Sequence, residues 1–235
     1  LEAVRVLKQE GIPHGDLVLA ITVAEEMGLL GARHLDPALL EADYGFSLDT
    51  PGPAGIIYNA SPCHDTITAR ITGRAAHAGM EPEKGVSAIR IASLAISKMD
   101  LGRIDNETTS NVGVIKGGKA TNIIPDTAEI EAEARSHDPA KLKKQIDSMC
   151  AAIESAANEC GGSAELDVKR EYKGYLIPED APVIRAAADA ARTLGFDTSI
   201  KASGGGSDAN MFNEYGIPTI PTAAAVANAV YHAVG

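Results

Sequence analysis

Two adjacent carboxylates, Glu25 and Glu26, follow directly on a continuous apolar run from Leu17 to Val23. Such a run suits a strand buried on both faces, as in a parallel sheet between helices. Open α/β sheets place their ligands at the carboxyl ends of strands of this kind. Neighbouring acids there repel each other unless a cation or a shared proton relieves them. At a strand-to-helix bend the two side chains diverge, so one can bind a metal while the other faces the metal-bound water. The competing reading is a first helical turn, where the macrodipole favours acids. Asp49 ends a second short strand, Tyr44 to Leu48, just before the turn Thr50-Pro51-Gly52-Pro53. It can meet Glu26 at the same sheet edge, or simply open the turn. His77, within Ala75-Ala76-His77-Ala78-Gly79, has small neighbours that leave its ring free to approach a substrate or to sit idle on the surface. Asn122, within Thr121-Asn122-Ile123-Ile124-Pro125, can hydrogen-bond a substrate backbone or cap a turn. Gly204, Gly205 and Gly206 stand between a strand and a helix, where a glycine run can cradle a phosphate. The run lacks both the Lys-Ser/Thr ending of a P-loop and the G-x-G-x-x-G spacing. It equally lets a substrate backbone or carboxylate come close. His232 sits in an Ala/Val-rich stretch, and His14, His34, His64 and His137 show no evident partners.

The elements that must position these residues fall into three stretches. An opening helix stops near Gly11-Ile12-Pro13. The Leu17 to Val23 strand, a short helix around Leu29 to Leu35 and the Tyr44 to Leu48 strand then read as one side of an α/β sheet. From Pro62 to Glu171 the order changes to β-α-β-β-α-β, that of a ferredoxin-like unit. Its elements are strands at Thr66 to Gly73, Asn111 to Lys116, Thr127 to Arg135 and Leu166 to Tyr172, with helices at Val86 to Met99 and Pro139 to Cys160. The second helix sets Leu142, Ile146, Met149, Ile153 and Ala157 on one face. The α/β pattern then resumes: a helix from Pro182 to Gly195 capped by Asp180, a strand at Thr198 to Ala202, and a helix from the glycine loop to Tyr215. The expected organisation is an α/β domain, residues 1–61 and 172–235, interrupted by an inserted α+β domain, residues 62–171.

Composition narrows the classes. The 235 residues are 45% hydrophobic and 23% charged, with a net charge of −11 and no long basic run, which argues against nucleic acid as a partner. No stretch approaches the roughly 18 apolar residues of a membrane span. Cys63, Cys150 and Cys160 have no C-x-x-C spacing and fit a reducing cytoplasm. No signal peptide is visible. Leu1 opens directly into a helical pattern without Met or a capping residue, so the chain reads as a fragment.

In this order the motifs Glu-Glu-Met-Gly-Leu-Leu-Gly-Ala, the strand-ending Asp49, His-Ala-Gly, Asn-Ile-Ile-Pro-Asp and Ser-Gly-Gly-Gly-Ser-Asp-Ala-Asn resemble metallopeptidase family 20, and within it peptidase T-like proteins. The resemblance runs from Leu1 to about Thr219. It implies a phosphorylase/hydrolase-like zinc-peptidase catalytic domain with an inserted ferredoxin-like lid and dimerisation domain, acting as a homodimer on short peptides. It further implies that Glu25 is the general base, that Glu26 and Asp49 each hold one of two zinc ions, and that His77 and Asn122 reach the substrate from the lid. Gly205 and Gly206 would lie near the substrate's terminus, and His232 is the one available C-terminal metal ligand. Cobalt or manganese can replace zinc in such a carboxylate–imidazole set. The family's His-x-Asp motif and bridging carboxylate would precede Leu1. Where tripeptidases have Arg before the Gly-Gly pair, this chain has Gly204. Alternatives are an N-acyl amino acid deacylase or carboxypeptidase of the same family, or a non-catalytic binding or dimerisation protein that keeps the fold.

Overall fold

The computed structural model describes residues 2–11, 13–50 and 52–222. Cys63–Glu171 forms one compact unit, and the described residues on either side of it form another.

In the flanking unit, α1 (Glu2–Glu10) is followed by a segment without regular secondary structure, a 3-10 turn at Glu25–Met27 and α2 (Leu30–Arg33). Two small sheets carry the rest. β1 (Gly45–Ser47) pairs in parallel with β10 (Thr219–Pro221), Phe46 opposite Ile220. β2 (Ile56–Ser61) lies between β8 (Tyr175–Leu176), antiparallel, and β9 (Ser199–Ala202), parallel. α5 (Pro182–Thr193) covers this sheet. Its Val183, Ile184, Ala187 and Ala188 pack with Ile57, Ile177 and Ile220 in one buried cluster.

Two expectations for this unit need correction, and one strand was not foreseen. Leu17–Val23 is not a buried strand: among the described residues no ladder forms along it, and Ile21 and Val23 are 73% and 72% exposed. None of the described strands pairs with this run. Asp180 does not cap α5, whose N-cap is Ala181 with no side-chain bond; Pro182 at the first position fits the helix start by itself. The strand β2 has no counterpart in the sequence reading. Its polar Asn59 and Ser61 hide it, yet both are buried and bonded, Asn59 Nδ2 to the Ile177 carbonyl at 2.9 Å and Ser61 Oγ to the Gly205 carbonyl at 3.0 Å.

The Cys63–Glu171 unit is a five-stranded sheet backed by two helices. Its strands are β3 (Cys63–Thr72), β4 (Gly102–Arg103), β5 (Thr108–Gly117), β6 (Thr127–Ser136) and β7 (Ser163–Tyr172), in the order β4-β5-β6-β3-β7. Without the short β4 this is the ferredoxin-like arrangement. The helices α3 (Ala88–Ser97) and α4 (Pro139–Cys160) bury Ile91, Leu142, Met149 and Ile153 against Ile67, Ile71 and Ile130. The ends of α4 are set locally. Asp138 accepts from the Ala140 and Lys141 amides, Pro139 fixes the first turn, and Gly161 closes the helix at φ 75°. No helix among the described residues is long and apolar enough to cross a membrane.

Candidate active site

The turn that presents Glu25 is held by close backbone packing. Ala24 is left-handed (φ 55°, ψ 44°), a conformation that costs a non-glycine residue about 1–2 kcal/mol. It reverses the chain so that its carbonyl accepts from the Met27 and Leu30 amides, both at 3.2 Å, while the Val23 carbonyl accepts from Gly31 at 3.0 Å. That last approach requires glycine, because a Cβ on Gly31 would stand 2.4 Å from the Val23 oxygen. Downstream, Leu29 and Ala32 pack against Tyr172 and against Met211 of α6 (Asp208–Glu214). Tyr215 Oη donates to the Ala32 and Arg33 carbonyls, each at 3.0 Å.

A cavity of about 470 Å³ lies beside this turn. Its wall includes Val18, Thr22, Glu25, Phe46, Asp49 and Asp208. Glu25 is half-buried, and Glu26 and Asp49 are exposed. Burial raises the proton affinity of Glu25 most, and the charges of Asp49, Glu26 and Asp208 each raise it further. Negative charge therefore converges here, a field that a cation would relieve, and carboxylate oxygens suit a hard or borderline divalent metal. Among the described residues, no group of three or more His, Cys, Asp or Glu side chains is set to hold a metal ion. His232 lies outside the described residues.

The sequence reading did not single out Asp208, although it stands inside the quoted glycine motif. It is 8% exposed, and its Oδ2 accepts from the Thr22 hydroxyl. The glycine loop before it is closed on itself. Gly205 donates its amide to Ser203 Oγ at 3.1 Å, and its carbonyl accepts from Ser61 and Ser203. Gly206 lies flat against Tyr172, where a Cβ would meet the ring at 2.4 Å. Buried Asn210 ties the loop down, accepting from the Ser207 amide at 3.0 Å and donating to the Lys173 carbonyl at 2.8 Å.

His77 and Asn122 belong to the other unit, where they meet in one loop pair. His77 bridges to Ile123, the Asn122 carbonyl accepts from Ala78 at 2.9 Å, and both residues are exposed. His77 Nδ1 accepts from the Gly79 and Met80 amides at 3.1 and 3.2 Å, which leaves the outer nitrogen as the proton-bearing one. His64 corrects the reading that it lacks a partner: its Nε2 lies 2.8 Å from Glu133 across the β3–β6 ladder, a neighbour that linear sequence does not reveal. That bond, with Arg135, draws the Glu133 carboxyl down to about 2.

Within the Cys63–Glu171 unit, residues 64–159 match the peptidase dimerisation domain. The chain is 43% identical to the aminopeptidase PepT of Bacillus cereus, covering 99% of this chain and 67% of that one with a TM-score of 0.88. A tripeptidase structure from Staphylococcus aureus matches at 40% identity and a TM-score of 0.92, over 99% of this chain and 66% of that one. The Bacillus subtilis protein YqjE is 49% identical over 93% of this chain, and the chain spans 59% of that relative's length. The chain belongs to metallopeptidase family 20, on its peptidase T-like side.

Proposed function

We propose that this chain forms part of a metal-dependent aminopeptidase that hydrolyses short peptides. The observation that carries the reading is the cavity where Glu25, Asp49 and Asp208 converge, in a fold matched along its length by an aminopeptidase and a tripeptidase. Glu25 takes the proton of the attacking water and delivers it to the leaving amine; a carboxylate held more basic by its surroundings is suited to that exchange. Glu26 and Asp49 hold the metal. Zinc, with cobalt or manganese as substitutes, supplies a water activated at neutral pH and a polarised carbonyl when bound. His77 and Asn122 bind substrate from their shared loop pair, and the Gly205–Gly206 loop borders the substrate's terminus. The Cys63–Glu171 unit makes a homodimer, consistent with its match to a peptidase dimerisation domain.

The test is Glu25→Gln in the full-length protein, assayed on free-amino tripeptides and on N-acyl amino acids. Loss of tripeptide turnover with metal content kept supports the assignment. A near-normal kcat refutes the base, and preference for the acylated substrate points instead to a deacylase.

A further inference from the structure

Asp208 is a buried carboxylate that borders the Glu25 cavity and to which the proposed reaction assigns no contact with substrate. Burying a carboxylate is costly unless it is hydrogen-bonded. Its Oδ2 accepts from the Thr22 hydroxyl, while Oδ1 is buried with no hydrogen-bond partner among the described residues. The start of α6 does not need it: Ser207 caps that helix and Asn210 completes the capping box. Its one described side-chain bond therefore reaches to a segment 186 positions away in sequence.

That segment leads straight into the Glu25 turn. Thr22 stands two residues before the left-handed Ala24, and such strain persists only where the surroundings over-determine it. Downstream, the Val23 and Ala24 carbonyls are fixed by Gly31 and Leu30. Upstream, Thr22 is the point at which a buried group from α6 grips the chain. Ala24 is thus held from both sides.

From this geometry we infer that Asp208 and Thr22 form a positioning pair, a clamp that holds Ala24 left-handed and so fixes the direction of the Glu25 carboxylate. The inference rests on the reading of Glu25 as the base, and the pair is assigned a positioning role only.

The experiment uses the full-length protein. Thr22→Val and Asp208→Ala should each lower kcat by about 10- to 100-fold, the scale of a misplaced catalytic group, with KM within about twofold. Thr22→Ser, which keeps the hydroxyl, should retain kcat. The double variant should be no worse than the poorer single, because both remove one interaction. Ala24→Gly in the Thr22→Val background should regain part of the loss, since glycine populates the left-handed region freely. A readout independent of turnover is hydrogen exchange at the Leu30 and Gly31 amides, which should quicken in Thr22→Val. Unchanged kcat and exchange in Thr22→Val overturn the clamp, as do losses that multiply in the double variant. Glu25→Gln, run in parallel, separates the cases: if it stays active the base assignment fails, while quickened exchange in Thr22→Val still supports the clamp as a structural device.

Discussion

Gly206→Ala tests whether the glycine loop is shaped by packing. Gly206 does not have a positive φ, so alanine is acceptable to the backbone and the substitution probes contact alone. The added Cβ would stand 2.4, 2.7 and 2.8 Å from the Cζ, Cε2 and Cε1 atoms of Tyr172. Ordinary carbon–carbon contact begins near 3.5 Å, so the ring must retreat by about 1 Å. It has little room, being 7% exposed and packed with Leu29, Ala32 and Met211. Overpacking a close-packed interior costs about 1–3 kcal/mol. At about 2–4 °C per kcal/mol for a protein of this size, Tm should fall by about 2–12 °C. The same shift disturbs Leu29 and Ala32, which anchor the Glu25 turn, so kcat should fall along with stability. Calorimetry on Gly206→Ala, Tyr172→Leu and the double variant measures the coupling. If the ring is the obstacle, the double variant is less destabilised than the sum of the singles by about 1 kcal/mol or more. Stability of Gly206→Ala within about 0.5 kcal/mol of the parent, or strict additivity, refutes the packing argument.

Further outcomes follow from the same geometry. The Glu133 carboxyl is drawn from 4.5 to about 2 by His64 and Arg135, so its stabilisation is complete above 4.5 and lost as pH falls toward 2. Its side chain is 33% exposed, so screening leaves about 1–2 kcal/mol; acid titration of unfolding should show a shallower loss in Glu133→Gln, and an unchanged acid limb would contradict the pairing. Gly31→Ala drives a Cβ to 2.4 Å from the Val23 oxygen, so turnover should drop while the Cys63–Glu171 unit keeps its hydrogen-exchange protection; full activity would show that the turn yields easily.

What could be read from the sequence depended on how local the cause was. The helix α4 was legible because a regular apolar stripe fixes its face, and its ends are set locally by Asp138, Pro139 and Gly161. The alternating strands and connecting helices of the Cys63–Glu171 unit were legible for the same reason. The Glu25–Glu26 pair and Asp49 were legible as a charge problem, since neighbouring acids at an element boundary need an explanation whatever the tertiary structure. The exposed state of Leu17–Val23 was not legible, because apolar composition records a preference for burial and not the presence of flanking strands. β2 was hidden because Asn59 and Ser61 look like loop residues until their partners from distant segments are seen. The His64–Glu133 pair and the Thr22–Asp208 contact are long-range pairings of the same kind. A signal for Asp208 did exist in retrospect: an Asp placed after a capping Ser at a helix start, where the cap already has its partner.

The exposed apolar run bears on how the site and the stability of its unit are linked. Burying a Val or Ile side chain contributes about 1.5–3 kcal/mol, and Ile21 and Val23 at 73% and 72% exposure collect little of it. Leu17, Val18 and Leu19, at 55%, 48% and 54%, collect about half. The segment entering the Glu25 turn therefore gains little from packing, and its described anchors are polar: the Thr22–Asp208 bond and the Val23–Gly31 bond. Hydrogen bonds contribute about 0.5–1.5 kcal/mol each, comparable with the strain at Ala24 that they offset. The balance at this turn is consequently narrow. On the clamp proposal, removal of either anchor should release Ala24 toward ordinary helical or extended backbone and turn Glu25 away from the cavity. A ladder laid along Leu17–Val23 would shift that balance by burying the run and supplying backbone bonds.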